Sequence, residues 1–408
     1  MNYLFVYKEM KIGGCQLLIQ KVGEEFNKQG HHVYVLCNSV DASFRQVLTS
    51  KGMTIIKIKS WHSQKCINHI VNSYIHDKDE LRVLTFIWSD FIWLSSTRFN
   101  RNTVKVLLYA VHYEALNHAV PMKGVLGAIH KSLLRPTISK LIKNNAIVVM
   151  DEQTIESTNR FYGFRGSIFD PGNWTIIRIP VDTNDSEIIS KKVLSKYNSN
   201  TWNILAVARA DFPFKGYLLG LIELFNQKVV PQKYELIIVS YGKDYPLLKA
   251  EYNRCDDSVR KKIHLMGKVQ YSELKELFLL SHIYVGMGTT LLDASKYGVV
   301  SIPVVANTNK VLATSFFHDN YKAVALDIGT EERLIEMLNE YESIDSDKRM
   351  SMIKESQDIV FDYYSTESCA SNLEAVFNSY SLYSNGLILF EYKFRRFINW
   401  FKWRLKSR

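Results

Sequence analysis

Arg209 and Lys215 stand six residues apart in Arg209-Ala210-Asp211-Phe212-Pro213-Phe214-Lys215-Gly216, directly after an apolar run at 203–208. Two cations on a loop at the carboxyl end of a strand can converge on one diphosphate, the arginine as a fork and the lysine as a point charge. The plain alternative is two solvated surface charges. A second segment, Gly286-Met287-Gly288-Thr289-Thr290-Leu291-Leu292-Asp293, follows another apolar run and opens a helical pattern. Its glycines and threonines offer backbone amides and hydroxyls to a ligand. Asp293 can accept hydrogen bonds from sugar hydroxyls. Its plainer reading is an acid in the first helical turn, favoured by the helix dipole. Gly13-Gly14, ahead of the first helical pattern, permit close approach of a ligand or form a simple turn. His112 follows the run 104–109 and is a polar candidate on a strand-end loop. Asp77-Lys78-Asp79 and Asp345-Ser346-Asp347 read as solvated acids in connecting stretches, so no bound metal is expected.

These groups need elements to hold them. Short apolar runs at 3–7, 33–37, 54–58, 83–87, 104–109, 146–149 and 175–179 read as buried strands. Helical patterns lie between them, such as Leu17, Leu18, Val22 and Phe26 before Gly30, and a shorter one over 44–50. Residues 183–200 read as a polar linker with a short helix. Strand candidates then recur at 203–208, 234–240, 263–266, 283–286 and 299–305. Strand, helix, strand at this spacing requires parallel pairing with crossover helices. The fold class is therefore α/β, with two Rossmann-like doubly wound domains facing a cleft. Ligands of such sheets sit outside the carboxyl ends of the strands, where all the candidate loops fall.

Composition removes other classes. With 408 residues, 47% hydrophobic and 23% charged, the chain is neither disordered nor low in complexity. Five scattered cysteines (Cys15, Cys37, Cys66, Cys255 and Cys369) with no C-x-x-C argue against a disulfide framework or zinc site, and for a reducing compartment. The missing G-x-G-x-x-G weighs against a nicotinamide-dependent oxidoreductase. No apolar span approaches the ~20 residues of a membrane helix, and the run at 3–7 is too short for a signal-peptide core. Of the net charge of +10, the last 28 residues contribute seven cations against Glu391. The body is only mildly basic, so no nucleic-acid partner is expected.

That tail has its own pattern. On a helical wheel Phe390, Phe394, Phe397, Ile398, Phe401 and Leu405 share one side, Arg395, Arg396, Lys402 and Lys406 lie off it, and Trp400 and Arg404 border it. Trp403 falls on the far side. A basic aromatic helix of this kind suits an anionic membrane surface. The competing reading is a helix packed on the body with a solvated basic face.

Taken in order, the pieces resemble retaining glycosyltransferases of the GT-B fold, family 4 type. They are Gly13-Gly14, Gly30-His31-His32-Val33, His112, Ile179-Pro180-Val181-Asp182, Ala208-Arg209 with Lys215-Gly216, Leu265-Met266-Gly267-Lys268-Val269, and Gly288 through Asp293-Ala294 with Gly298 and Pro303. The resemblance spans residues 1 to about 380. It implies an acceptor-side domain over 1–182, a donor domain over 183–362, a closing helix over 363–380 and an added tail over 381–408. It implies that Arg209 and Lys215 bind the donor diphosphate, and that Asp293 replaces a Glu on the nucleotide ribose. Gly14, Met266, Gly267 and the loop Gly286, Met287, Gly288, Thr289 and Thr290 would hold the rest of the donor, and His112 would touch the sugar or acceptor. Where the family often has a carboxylate, eight residues before Asp293, this chain has Val285. The implied activity is transfer from a nucleotide-diphosphate sugar to a saccharide acceptor, expected to be lipid-linked, at the cytoplasmic face of the inner membrane. No cofactor beyond the co-substrate is expected. A non-catalytic binder of the same fold is the alternative.

Overall fold

The structure is a computed structural model that describes the chain apart from residues 12, 76–79, 100–102, 113, 166–170, 184–195, 323, 327, 381–387 and 397–408. It divides into two compact units, one of Met1–Pro180 with the residues from Thr366 onward, the other of Val181–Ser365. Asp77-Lys78-Asp79 and most of the expected linker lie outside the described residues.

The first unit carries β1 (Asn2–Val6), β2 (Glu9–Met10), β3 (His32–Cys37), β4 (Ser39–Val40), β5 (Thr54–Lys57), β6 (Leu81–Thr85), β7 (Val104–Ala110), β8 (Ile147–Val149) and β9 (Thr175–Ile176). Seven of these form a parallel sheet in the order β5-β3-β1-β6-β7-β8-β9, and β2 pairs with β4. Its helices are α1 (Gly14–Lys28), α2 (Ala42–Ser50), α3 (Gln64–Tyr74), α4 (Trp88–Ser95), α5 (Gly124–Lys143) and α6 (Glu152–Tyr162). β1 and β6 are buried along their whole length, as parallel strands covered on both faces must be. The strand expected over 83–87 starts and stops earlier. Ile87 instead is the N-cap of the buried helix α4, whose apolar surround leaves no polar face to give a helical period.

The second unit carries β10 (Trp202–Arg209), β11 (Tyr234–Tyr241), β12 (Ile263–Met266), β13 (Ile283–Gly286) and β14 (Val300–Pro303), all parallel, in the order β12-β11-β10-β13-β14. Helices α7 (Tyr217–Asn226), α8 (Tyr245–Arg254), α9 (Asp257–Arg260), α10 (Tyr271–Leu280), α11 (Thr289–Lys296), α12 (Glu331–Ser343) and α13 (Ser346–Tyr364) complete it. Asp345 is not in a connecting stretch: its carboxylate caps α13 by accepting from Lys348 N at 2.8 Å. Chain order reverses between β1 and β6 in one sheet and between β10 and β13 in the other, the crevices where doubly wound sheets take ligands.

Two helices return to the first unit, α14 (Thr366–Ser379) and α15 (388–396). The span 363–380 is thus not one helix. It holds the end of α13, a break at Ser365 and α14. Cys369, Leu373 and Phe377 of α14 pack with Tyr3, Phe5 and Phe26. Buried Arg82 on β6 locks this packing. It donates to Tyr3 OH, Glu80 Oε1 and Asn378 Oδ1, each at 2.7 Å. Lys105 adds a bond from Nζ to Phe377 O at 2.8 Å.

The described part of the tail, 388–396, is not free, because α15 is docked on its unit. Ile388, Glu391 and Tyr392 are buried. Glu391 Oε2 meets His130 Nε2 of α5 at 2.9 Å, Arg395 bonds Glu391 and Ala119 O, and Tyr392 OH donates to His62 O at 3.1 Å. Arg395 is therefore an internal clamp rather than part of a solvated basic face, while Phe390 and Arg396 stay exposed and Phe394 is half-buried. Phe397, Trp400, Phe401, Lys402, Trp403 and Arg404 lie outside the described residues.

Arg82→Met removes the cation that joins β1, β6 and α14 while leaving Glu80 behind. It is expected to cost about 3 kcal/mol, read as an earlier unfolding transition in urea. An unchanged midpoint contradicts the locking role.

Candidate functional site

The loop after β10 is built to carry charge. Arg209 ends the strand, and its stem passes Gly242, which sits at φ +120° after β11. A Cβ on Gly242 would meet Arg209 Cγ at 2.7 Å and Ala210 O at 2.9 Å, so only glycine leaves the arginine this path. Asp244 Oδ2 accepts from Phe212 N at 2.8 Å and fixes the turn that follows. Asp211 lies 3.4 Å from Arg209 and 3.3 Å from Lys243, so its charge is shared between two cations. Lys215 is half-buried, with Nζ over the Phe214 ring at 4.9 Å, and no carboxylate pairs with it among the described residues. Burial pushes its ammonium down to about 8, and the neighbouring Arg209 pushes in the same direction. Gly216 has ordinary helical backbone angles. Its small size is needed because a Cβ there would strike Thr308 O and Asn309. Two cations that share Asp211 thus stand at the strand-order reversal, a candidate site for an anion.

Across that reversal stand β13 and the start of α11. Gly288 caps the helix at φ +75°, a conformation that favours glycine, and its N–H donates to Val324 O at 2.7 Å. The Thr290 hydroxyl is not available to a ligand as expected. It bonds Tyr284 OH at 2.7 Å and Val207 O at 3.2 Å, tying α11 to β10 two residues before Arg209. Met287 is buried in the core and can offer only its backbone. Thr289 is exposed, and the first amides of α11 have no partner within the helix. Asp293 lies in the second turn rather than the first, so the dipole reading fails. Its carboxylate faces buried Lys296 Nζ at 3.5 Å, which itself donates to Asp182 O at 2.6 Å. Val285 is a fully buried core residue. Met266 ends β12 half-buried, followed by exposed Gly267 with open space at its Cβ position.

In the first unit Gly14 opens α1 exposed, with nothing near its Cβ position. Gly13 is the constrained one, since a Cβ there would meet Gln16 Oε1 at 2.7 Å. His112 follows β7, and its Nδ1 accepts from Glu114 N at 3.1 Å. Burial lowers its pKa below the ordinary value and favours the neutral ring, and the bond accepted at Nδ1 leaves the ring proton on Nε2. Nothing in the sequence pattern singled out His62 and Asp90. His62, at φ +67°, places Nε2 2.8 Å from Asp90 Oδ1, which also accepts from Trp61 Nε1 at 2.9 Å. Asp90 Oδ2 is buried without a partner among the described residues.

No family model matches the sequence, and no curated protein matches it. Solved structures do match in fold. A glycosyltransferase from Rickettsia africae aligns over 93% of this chain and 98% of its own, with TM-score 0.65 at 16% identity. HepE from Anabaena, solved with UDP-glucose, aligns over 93% and 100%, with TM-score 0.60 at 13% identity. WaaG, a glycosyltransferase involved in lipopolysaccharide biosynthesis, aligns over 92% and 98%, with TM-score 0.54 at 16% identity. The fold is that of GT-B glycosyltransferases, two Rossmann-like domains.

The Lys215 environment fixes a pH response. Its folded-state pKa of about 8 lies below its ordinary 10.5, so the free protein loses this charge as pH rises through about 8. Affinity for inorganic pyrophosphate should fall across that interval, and Lys215→Arg should flatten the fall. Between the two values the unfolded chain binds more protons, so this group's contribution to stability rises with pH there. Calorimetric titration at pH 7 and pH 9 checks the binding; equal affinities contradict it.

Proposed function

We propose that the chain is a retaining, metal-independent glycosyltransferase of the family 4 type. It moves a sugar from a nucleotide-diphosphate donor to a lipid-linked saccharide of a surface polysaccharide pathway, at the cytoplasmic face of the inner membrane. The observation that carries this reading is the Arg209–Lys215 pair, held without a full complement of negative charge at the strand-order reversal. The UDP-glucose complex of HepE and the lipopolysaccharide role of WaaG support the donor class and the pathway.

In this reading Arg209, Lys215 and the first amides of α11 hold the diphosphate. The bond from the anomeric carbon to the β-phosphate oxygen breaks as the acceptor oxygen bonds to the same face, and the acceptor's proton passes to the leaving diphosphate. Catalysis then rests on stabilising the leaving charge and on positioning, not on a protein nucleophile. Asp293, steadied by Lys296, takes the ribose hydroxyls. Neutral His112 donates from Nε2 on the sugar or acceptor side. Exposed Gly267, after Met266, leaves room for the donor in the second unit, and Gly14 offers open space at the start of α1 in the first. Because Val285 supplies no carboxylate, sugar contact falls to Thr289 and the backbone of Gly286–Gly288. The buried valine equally motivates the second reading, a non-catalytic binder of sugar nucleotides.

Transfer or slow hydrolysis with a panel of nucleotide sugars separates the two. Arg209→Ala and Lys215→Ala should each lower turnover roughly a hundredfold, the loss of about 2.7–4 kcal/mol expected when one donor leaves a preorganised site. Native melting curves with unchanged turnover would remove the proposed assignment. Donor binding without any turnover selects the binder.

A further inference from the structure

Helix α5 is apolar on two faces. Leu134, Ile138, Leu141 and Ile142 pack into the core of the first unit. Val125, Leu126, Ile129 and Leu133 point the other way and are 77%, 66%, 52% and 53% exposed. Positions 125, 129 and 133 repeat at helical spacing, so the exposed side chains form one stripe. Helix α15 widens it. The Phe394 ring lies 4.9 Å from that of His130, Phe390 stacks on Phe394 at 6.0 Å, and Phe390 is itself 55% exposed.

Charge is sorted around this stripe. From Ala115 to Met150 the chain has no Asp or Glu, but it has Lys123, Lys131, Arg135, Lys140 and Lys143. Lys393 and Arg396 of α15 are exposed, whereas its acid, Glu391, is buried. Burial alone would raise the Glu391 carboxyl, but His130 and Arg395 together hold it below its ordinary value, so it stays an internal anion. The surface shown to solvent is apolar and cationic. A second copy of the chain fits it poorly, since an isologous contact would set each row of cations against its twin.

We propose that α5 with α15 is the docking face for an anionic lipid bilayer. The stripe enters the acyl boundary and the flanking cations meet headgroup phosphates. Arg395, Glu391 and His130 serve as the internal clamp that holds α15 beside α5. The proposal rests on the membrane-held acceptor of the reading above, and its test needs no sugar transfer. Deleting the tail would strip the partner from buried His130, so the test uses exposed positions in the full chain.

Flotation with vesicles of phosphatidylcholine mixed with phosphatidylglycerol, and of phosphatidylcholine alone, gives the readout. The unaltered protein should float with the mixed vesicles and at least about tenfold less with the neutral ones. Ile129→Gln with Leu133→Gln should lose about tenfold or more of that partition with an unchanged melting temperature. Lys123→Gln with Arg135→Gln should weaken the preference for anionic lipid. Equal flotation of the Ile129→Gln, Leu133→Gln chain overturns the proposal, as does failure of the unaltered protein to float. A dimer that this variant abolishes also overturns it and gives the face to a second copy. Nucleotide-sugar binding, measured separately, decides the transfer reading whichever way the vesicles fall.

Discussion

Two like charges held beside one strand end set the terms for the second unit. Lys215 is half-buried near Arg209, and both burial and the neighbouring guanidinium oppose its protonation. Asp211 offsets part of that cost, and a bound anion would favour the doubly charged form further. Much of the local architecture keeps the pair in place. Gly242 gives the Arg209 stem its path, Asp244 fixes the turn, and Gly216 allows the segment at Thr308 to close over the start of α7. Tyr284 and Thr290 both bond Val207 O, so the two loops flanking the strand-order reversal form one piece. Donors fixed before the ligand arrives have little reorganisation left to do, which is the condition for electrostatic catalysis.

The first unit solves a different problem. Arg82 and Lys105 carry positive charge into the packing between the sheet and α14, where Glu80, Tyr3 and the end of α14 receive it. The His130–Glu391–Arg395 clamp repeats this logic on the other side, pinning α15 with a charge that never reaches solvent. Among the described residues no helix is long and apolar enough to cross a membrane. The proposed bilayer contact rests on the exposed stripe of α5.

Much of the fold was legible because parallel strands buried on both faces write continuous apolar runs, as β1, β10 and β13 do. The strand-end position of Arg209 followed from that pattern alone. Helix α4 was not legible, since a helix buried nearly all round shows no period. Asp293 was misplaced by one turn because Gly288, at positive φ, caps the helix directly and α11 starts at Thr289, which leaves Asp293 as its fifth residue. Gly242 could be read as a loop glycine but not as the neighbour of Arg209. That contact joins residues 33 positions apart and exists only once β10 and β11 pair. Nor could the tail's wheel reveal that Glu391 would find His130, which lies 261 positions away.

The proposed function depends above all on diphosphate binding by Arg209 and Lys215. Calorimetric titration with UDP, GDP, ADP and dTDP, in the unaltered protein and in the Arg209→Ala, Lys215→Ala double variant, tests it most directly. At least one nucleoside diphosphate should bind, and the double variant should lose roughly a hundredfold or more of that affinity while staying folded. A double variant that binds the same nucleotide as tightly as the unaltered chain would contradict it.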